Sequence, residues 1–232
     1  DRRRYVVAGE AERHYIDIDH YAKGGQDPFA VMPRKWEDAV AKYSEDTLKA
    51  YGIVPWHIRV VHGQLVRAFQ RGDVDRILRS ASDLGHYVGD AHVPLHTTEN
   101  YNGQLTDQHG IHAFWESRIP ELSAEGYDHL VGRAEYIDDP LDAAWDAVQA
   151  SHLMVDSVLG IEKRLSQQYP EDQRFVFEDR GRGAMRLPSR EYAKAYEDVM
   201  FGMVERRMNA SIIILASFWY SAWVNAGQPD LD

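Results

Sequence analysis

Between Asp83 and Glu116 the chain reads DLGHYVGDAHVPLHTTENYNGQLTDQHGIHAFWE, and five of its eleven histidines lie there. A run so dense in imidazoles and carboxylates constrains the fold, because donors that share a partner must be carried to one place by rigid elements. Apolar positions at Ile77, Leu78, Ala81, Leu84, Val88 and Ala91 recur at steps of three and four, which predicts an amphipathic helix over 73–92. His86 and Asp90 are four apart, so they share a face of that helix, about 40° from each other. Leu84, Val88 and Ala91 take other azimuths and can face a core. Pro94 ends the helix at His92 or Val93. His96 then sits just past the end, where the chain can turn its imidazole toward the same place. A second short helix is predicted over 108–118, stopped by Pro120, and it carries His112 and Glu116, again four apart.

Two His-x3-carboxylate pairs with a histidine between them form a donor set suited to zinc. Zinc takes imidazole nitrogen and carboxylate oxygen, and a helix presents i, i+4 side chains to one ion without strain. A carboxylate can also bridge two ions, which a neutral imidazole cannot. One such pair alone is ordinarily a solvated helix face or a local hydrogen bond; two pairs flanking His96 point to a metal.

At these residues the sequence resembles the zinc-dependent phospholipase C and single-strand-specific zinc nuclease superfamily. The resemblance is carried by His86-x3-Asp90-x5-His96 within GDAHVPLH, followed by His112-x3-Glu116. The upstream run Arg13-His14-Tyr15-Ile16-Asp17 is similar to a further His-aromatic-x-Asp element of the same superfamily. It is specific over about residues 1 to 118; beyond them only the structural class agrees. The resemblance implies three zinc ions. One would take His14, His86 and Asp90, a second His96, His112 and Glu116, and Asp90 would bridge to a third, making it the catalytic centre's key carboxylate. In the superfamily an N-terminal Trp and a His shortly after it complete the third ion, and an upstream Asp adds to the first. Neither the Trp nor the His precedes Arg2 here, and the place of the upstream Asp falls one or two residues before Asp1, so the N-terminus is expected to be incomplete. His109 lies on the same face as His112 and could replace or orient it, but the spacing from His112 to Glu116 matches the superfamily. Tyr15 falls where its nucleases place a base-stacking aromatic, Asp17 belongs to the same element, and Arg2 could contact phosphate. A free Trp amine as ligand also requires a cleaved leader, which implies a secreted or periplasmic protein.

Composition bounds the partners. Carboxylates outnumber cations 37 to 26, for a net charge of −11, which disfavours stable binding to duplex nucleic acid, where affinity rests on Lys and Arg. Bound zinc would make the site itself positive, so an anionic phosphate ester remains a suitable substrate. The absence of cysteine excludes disulfides and thiolate zinc sites. The longest nonpolar run, Ala210 to Val224, is too short for a stable membrane span and is expected to form a buried core helix.

The remaining segments read as scaffold. Residues 21–33 are expected to be a loop and 34–50 a helix with Trp36, Val40 and Tyr43 as its stripe. The helix opened by Pro55 should bury Ile58, Val61, Leu65 and Phe69, with His57 and His62 structural or solvated. His92 faces away from Asp90, and residues 100–107 join the two metal helices and wall the cleft. Asp139 and Pro140 open a helix whose stripe runs through Leu141, Trp145, Val148, His152, Val155 and Leu159, which makes His152 a core histidine. Residues 169–188 read as a charged loop in which Arg180, Arg182 and Arg186 are better taken as solvated than as anion contacts. Ser189 can cap the last helical stretch, with Tyr192, Tyr196, Val199 and Met203 as its seam and Gly227 and Pro229 as its end.

No linker divides the 232 residues, and 44% hydrophobic content is enough for one core. The expectation is therefore mainly α: a single-domain multi-helix bundle around a metal cleft. The expected function is zinc-dependent hydrolysis of phosphate (di)esters, on a phospholipid head group or a single-stranded nucleic acid. Glu116 leans to the phospholipase C branch, and His14-Tyr15-Ile16-Asp17 to the nuclease branch. A helical zinc-binding module without catalysis is the alternative, motivated by the missing upstream ligands. A plain helical interaction protein would hold no zinc.

Overall fold

Two long helices, Val54–Arg71 and Val74–Ala91, form the hairpin on which the rest packs. Gly72 closes the first in the left-handed region, and the Asp73 carboxylate caps the second by accepting from the Arg76 amide at 3.1 Å. A computed structural model describes residues 6–181 and 183–231 of the chain, and Arg2 and Arg182 lie outside them. The fold is mainly α. In chain order the α-helices are α1 (Pro28–Val31), α2 (Trp36–Tyr43), α3 (Glu45–Ala50), α4 (Val54–Arg71), α5 (Val74–Ala91), α6 (Ile111–Ala113), α7 (Ile119–Ser123), α8 (Pro140–His152), α9 (Val155–Ser166), α10 (Glu171–Arg174), α11 (Arg190–Val199) and α12 (Met203–Asn225).

The apolar residues gather into two cores. In the first, Ile58, Val61 and Leu65 of α4 meet Leu84, Tyr87 and Val88 of α5, Trp145 of α8 and Phe218 of α12, and Ile16 and Ile18 join from upstream. Trp56 and Trp145 pack edge to face at 5.1 Å, and both indole N–H groups donate to the Arg34 carbonyl, at 2.7 and 3.1 Å. The second core holds Val93, Leu95, Ile111, Phe114 and Trp115 with residues of α9, α11 and the start of α12. The boundary between the cores falls at Ala91–Val93, in the middle of the histidine-rich stretch.

Several elements depart from the sequence expectations. The 34–50 helix is two helices, because Ser44 takes φ +71° and caps α3 through its hydroxyl. The 21–33 loop contains α1, capped by Asp27. Pro120 does not stop its helix. The chain passes from α6 through a π-helical turn, Phe114–Arg118, and Pro120 falls in the first turn of α7, where no amide donor is required. Asp139 caps α8 as expected, accepting from the Leu141 and Asp142 amides, but the stripe from Leu141 to Leu159 spans two helices that part at Leu153 and Met154. Residues 169–188 are not a loop: after α10 they form an antiparallel hairpin, β1 (Phe175–Asp179) with β2 (Ala184–Pro188). Its charged residues obscured it. Arg180 pairs with Glu121 and Glu178, while Arg186 pairs with Glu171 and lies 3.8 Å from the Phe175 ring centroid. Ser189 caps α11 as expected, but Gly202 at φ +71° separates it from α12. The 210–224 run buries only one face: Phe218 and Ala222 are inside, whereas Trp219 and Tyr220 are 39% and 42% exposed. Among the described residues no helix is long and apolar enough to cross a membrane.

Candidate metal centre

Backbone pairing brings the upstream segment to the histidine-rich stretch. The Ile16 amide donates to the His96 carbonyl at 2.9 Å, and the Val54 amide to the Tyr15 carbonyl at 3.2 Å. Gly52 makes the second contact possible: its φ is +90°, and a Cβ there would run into the Tyr15 carbonyl. His14 is thereby held over α5, which presents His86 and Asp90 from its last turns. The short turn Pro94–His96 delivers His96, and the α6–π segment delivers His112 and Glu116.

The six predicted donors fall into two groups, His14–His86–Asp90 and His96–His112–Glu116, and in each the ligand atoms lie within 4.8 Å of one another. In the first, Asp90 Oδ2 is 2.8 Å from His14 Nδ1 and 3.6 Å from His86 Nε2. In the second, Glu116 Oε2 is 2.7 Å from His112 Nε2 and 3.3 Å from His96 Nε2. The groups abut: the other Asp90 oxygen, Oδ1, is 3.9 Å from His96 Nε2. Each group could hold a metal ion.

Neighbouring carbonyls fix which ring nitrogen faces the site. His96 Nδ1 donates to the His14 carbonyl at 2.7 Å, and His112 Nδ1 to the Tyr101 carbonyl at 3.0 Å. A carbonyl only accepts, so both Nδ1 atoms carry hydrogen and both Nε2 atoms turn toward Glu116. This is how ligating histidines are aimed. Burial alone would lower the His96 pKa, but the hydrogen bond to Glu116 and the charge of Asp90 outweigh it and the pKa is raised. Burial opposes ionisation of Glu116, yet its hydrogen bonds from His112 and His96 hold it well below the usual carboxylate range. The His86 pKa is lowered by burial, against the pull of Asp90. In the second group the Glu116 carboxylate sits against the His96 and His112 Nε2 atoms, where a cation would compete with protons for the same nitrogens.

A cavity of about 440 Å³ opens onto His14, His96 and His112, with Tyr15, Asp17 and Tyr101 among its walls. A smaller one, about 290 Å³, reaches His86, Asp90 and Glu116 from another side, past Gly89 and Trp115. His14, Asp90 and His96 are buried, while His86, His112 and Glu116 retain access to solvent. Imidazole nitrogen and carboxylate oxygen with no sulfur make a donor set that could hold a divalent metal ion.

The other sequence candidates take up clear places. Tyr15 and Asp17 line the larger cavity, and burial together with Asp19 and Glu99 pushes the Asp17 pKa up to about 7. His109 is exposed and outside both groups. His92 is buried and donates from Nδ1 to the Val88 carbonyl at 2.7 Å, and burial plus the nearby Arg207 push its pKa down to about 4. His152 donates to the Thr97 carbonyl at 2.8 Å, His57 meets the Tyr87 ring edge-on, and His62 lies beside Phe218. Sequence reasoning missed Glu10, a carboxylate only 3% exposed, whose Oε1 lies 3.6 Å from His14 Nε2. Its four-residue spacing from His14 is a signal that could have found it.

No protein-family model matches the chain, and no curated protein matches it either.

Proposed function

We propose that the protein is a zinc-dependent hydrolase of phosphate (di)esters, of the phospholipase C or single-strand nuclease kind that its histidine and carboxylate spacing resembles. One observation carries the reading: two three-donor groups abut through Asp90 and His96, 3.9 Å apart, with a cavity of about 440 Å³ opening onto them. Three protein donors per ion leave a coordination position for a reactant, as catalytic zinc sites require and closed structural sites lack. Zinc, when bound, supplies Lewis acidity toward a phosphoryl oxygen and lowers the pKa of a water. The chain's own residues supply the rest. Asp90 offers one oxygen to each group and so sets the spacing between them. The carbonyls of His14 and Tyr101 keep the His96 and His112 rings turned inward. Asp17, whose pKa burial and the neighbouring Asp19 and Glu99 push up to about 7, adds a polar group to the cavity wall, and the rings of Tyr15 and Tyr101 offer apolar wall to the esterified group. The same resemblance favours a secreted or periplasmic location.

The test joins metal analysis to hydrolysis. Zinc-loaded protein should hold at least two ions and cleave either a phosphocholine ester or single-stranded nucleic acid, and the preferred substrate assigns the branch. Asp90→Asn should lose zinc and reduce the rate by about two orders of magnitude or more, as expected when a bridging ligand is removed. Full zinc and full activity in that variant would refute the bridging role. Tight zinc with no hydrolysis of either substrate would instead favour a helical zinc-binding module without catalysis.

A further inference from the structure

Histidines that bind metal through one ring nitrogen nearly always donate the other ring N–H to a fixed acceptor. In the second group those acceptors are the backbone carbonyls of His14 and Tyr101. The first group is built differently. His14 turns Nδ1 toward Asp90, at 2.8 Å, and His86, at 3.1 Å, so its Nε2 points away from them. On that side lies a carboxylate, with Glu10 Oε1 at 3.6 Å.

Glu10 is not a surface acid that happens to be near. It is buried, its Oε1 accepts from the Tyr87 hydroxyl at 2.6 Å, and its Oε2 accepts from Arg13 at 2.8 Å. Tyr87 follows His86 on α5, and its ring centroid is 5.2 Å from that of His14. The helix that presents His86 and Asp90 therefore also fixes the acid behind His14. We propose that Glu10, steadied by Tyr87, is the positioning carboxylate that aims His14 at the first metal ion; this rests on the metal reading above. A gap of 3.6 Å is longer than a hydrogen bond. It closes when a cation draws on Nδ1, because an imidazole that shares one lone pair with a cation becomes more acidic at its other nitrogen. A carboxylate acceptor then returns electron density to the ring, more strongly than a carbonyl does, and adds a negative charge beside Asp90 to balance the ion.

Calorimetric zinc titration of the full chain tests this, with wild type, Glu10→Gln, Tyr87→Phe and a His14→Ala control, alongside cobalt(II) absorption as a probe of the first group. Glu10→Gln keeps the side-chain volume and should weaken one ion about 10- to 100-fold, the usual cost of losing such a partner. The second ion should be unaffected, the stoichiometry should recover at high metal, and one set of cobalt bands should move. Tyr87→Phe should do the same to a smaller degree. Should Glu10→Gln fail to fold, Tyr87→Phe alone decides, since it leaves the carboxylate in place. The proposal is overturned if the folded variants bind both ions as wild type does. It is equally overturned if Glu10→Gln loses one ion outright, as His14→Ala should, because Glu10 would then be a ligand. Wild-type protein that takes up no zinc would sink the metal reading itself, whereas two ions held equally by wild type and Glu10→Gln would sink only the role of Glu10.

Discussion

The charge state of His92 shows how a residue beside the centre can matter without joining it. Burial and the Arg207 guanidinium hold its pKa near 4, against an ordinary 6.5. Between those values the unfolded chain binds a proton that the folded chain refuses, so this group removes stability as pH falls from 6.5 to about 4. A shift of that size corresponds to about 3 kcal/mol in total. Asp17 acts in the opposite sense: its folded pKa is raised from 3.8 to about 7, so its contribution is present at low pH and lost as pH rises through that window. The His92 effect must therefore be read as a difference. In metal-free protein, urea unfolding of wild type and His92→Gln at pH 7 and pH 4.5 should show the wild type losing about 2–3 kcal/mol more than the variant on acidification. Equal losses would mean that His92 is not held neutral.

His92 was also readable from the sequence, since a residue two positions from Asp90 on a helix points the other way. The donors His86, Asp90, His112 and Glu116 were readable for the same reason: four-residue spacing is a local property of a helix. Glu10 was legible only through its four-residue spacing from His14; what fixes its place is Tyr87, arriving from seventy-seven residues downstream.

At the scale of elements, the segment carrying His14 depends on one glycine. Gly52 sits at φ +90° with the Tyr15 carbonyl against its α-carbon. Gly52→Ala must either distort the turn or push that carbonyl away, and it should cost about 2 kcal/mol or more. The displacement acts on His14 and not on His112, so zinc titration should show the first group weakened and the second nearly unchanged. Equal weakening of both groups would show that the strain spreads beyond this segment. No sequence pattern announced that contact. Other elements were misread for identifiable reasons. Pro120 looks like a stop, and the π turn that accommodates it leaves no mark in hydrophobic periodicity. The hairpin over Phe175–Pro188 was hidden because its charged residues find partners on neighbouring elements, Arg118 with Glu178 among them. The α12 helix reads as apolar all round, but what it buries is decided by packing on α4 and α5. By contrast, the caps at Asp139 and Ser189 were legible because a cap is a contact within three residues.

For the molecule as a whole, the helical class followed from periodicity, whereas the division of the apolar residues between two cores did not, since it depends on which helices meet. Metal should contribute to the stability of this arrangement. An ion at about 100 times its Kd adds roughly 2.7 kcal/mol per site by mass action. For a chain of this size each kcal/mol corresponds to about 2–4 °C in Tm. Stripping the protein with a chelator should therefore lower Tm by about 5–10 °C for each occupied site, and added zinc should restore it. A thermal midpoint indifferent to chelator and to added zinc would leave the centre without an ion to hold.

The two cores meet at the histidine-rich stretch, and each donor triplet grows from its own side. His14, His86 and Asp90 stand on elements anchored by Ile16, Leu84 and Val88; His96, His112 and Glu116 stand on elements anchored by Leu95, Ile111 and Phe114. Each triplet has its own three donors, although the His96 ring is aimed by the His14 carbonyl from the other side. Neither half owns the distance between the two places. That distance is a dimension of the finished body, the way the gap between two jaws belongs to the vice and not to either jaw. A substitution that shifts one core against the other should therefore alter the separation of the two places while leaving the donors within each intact.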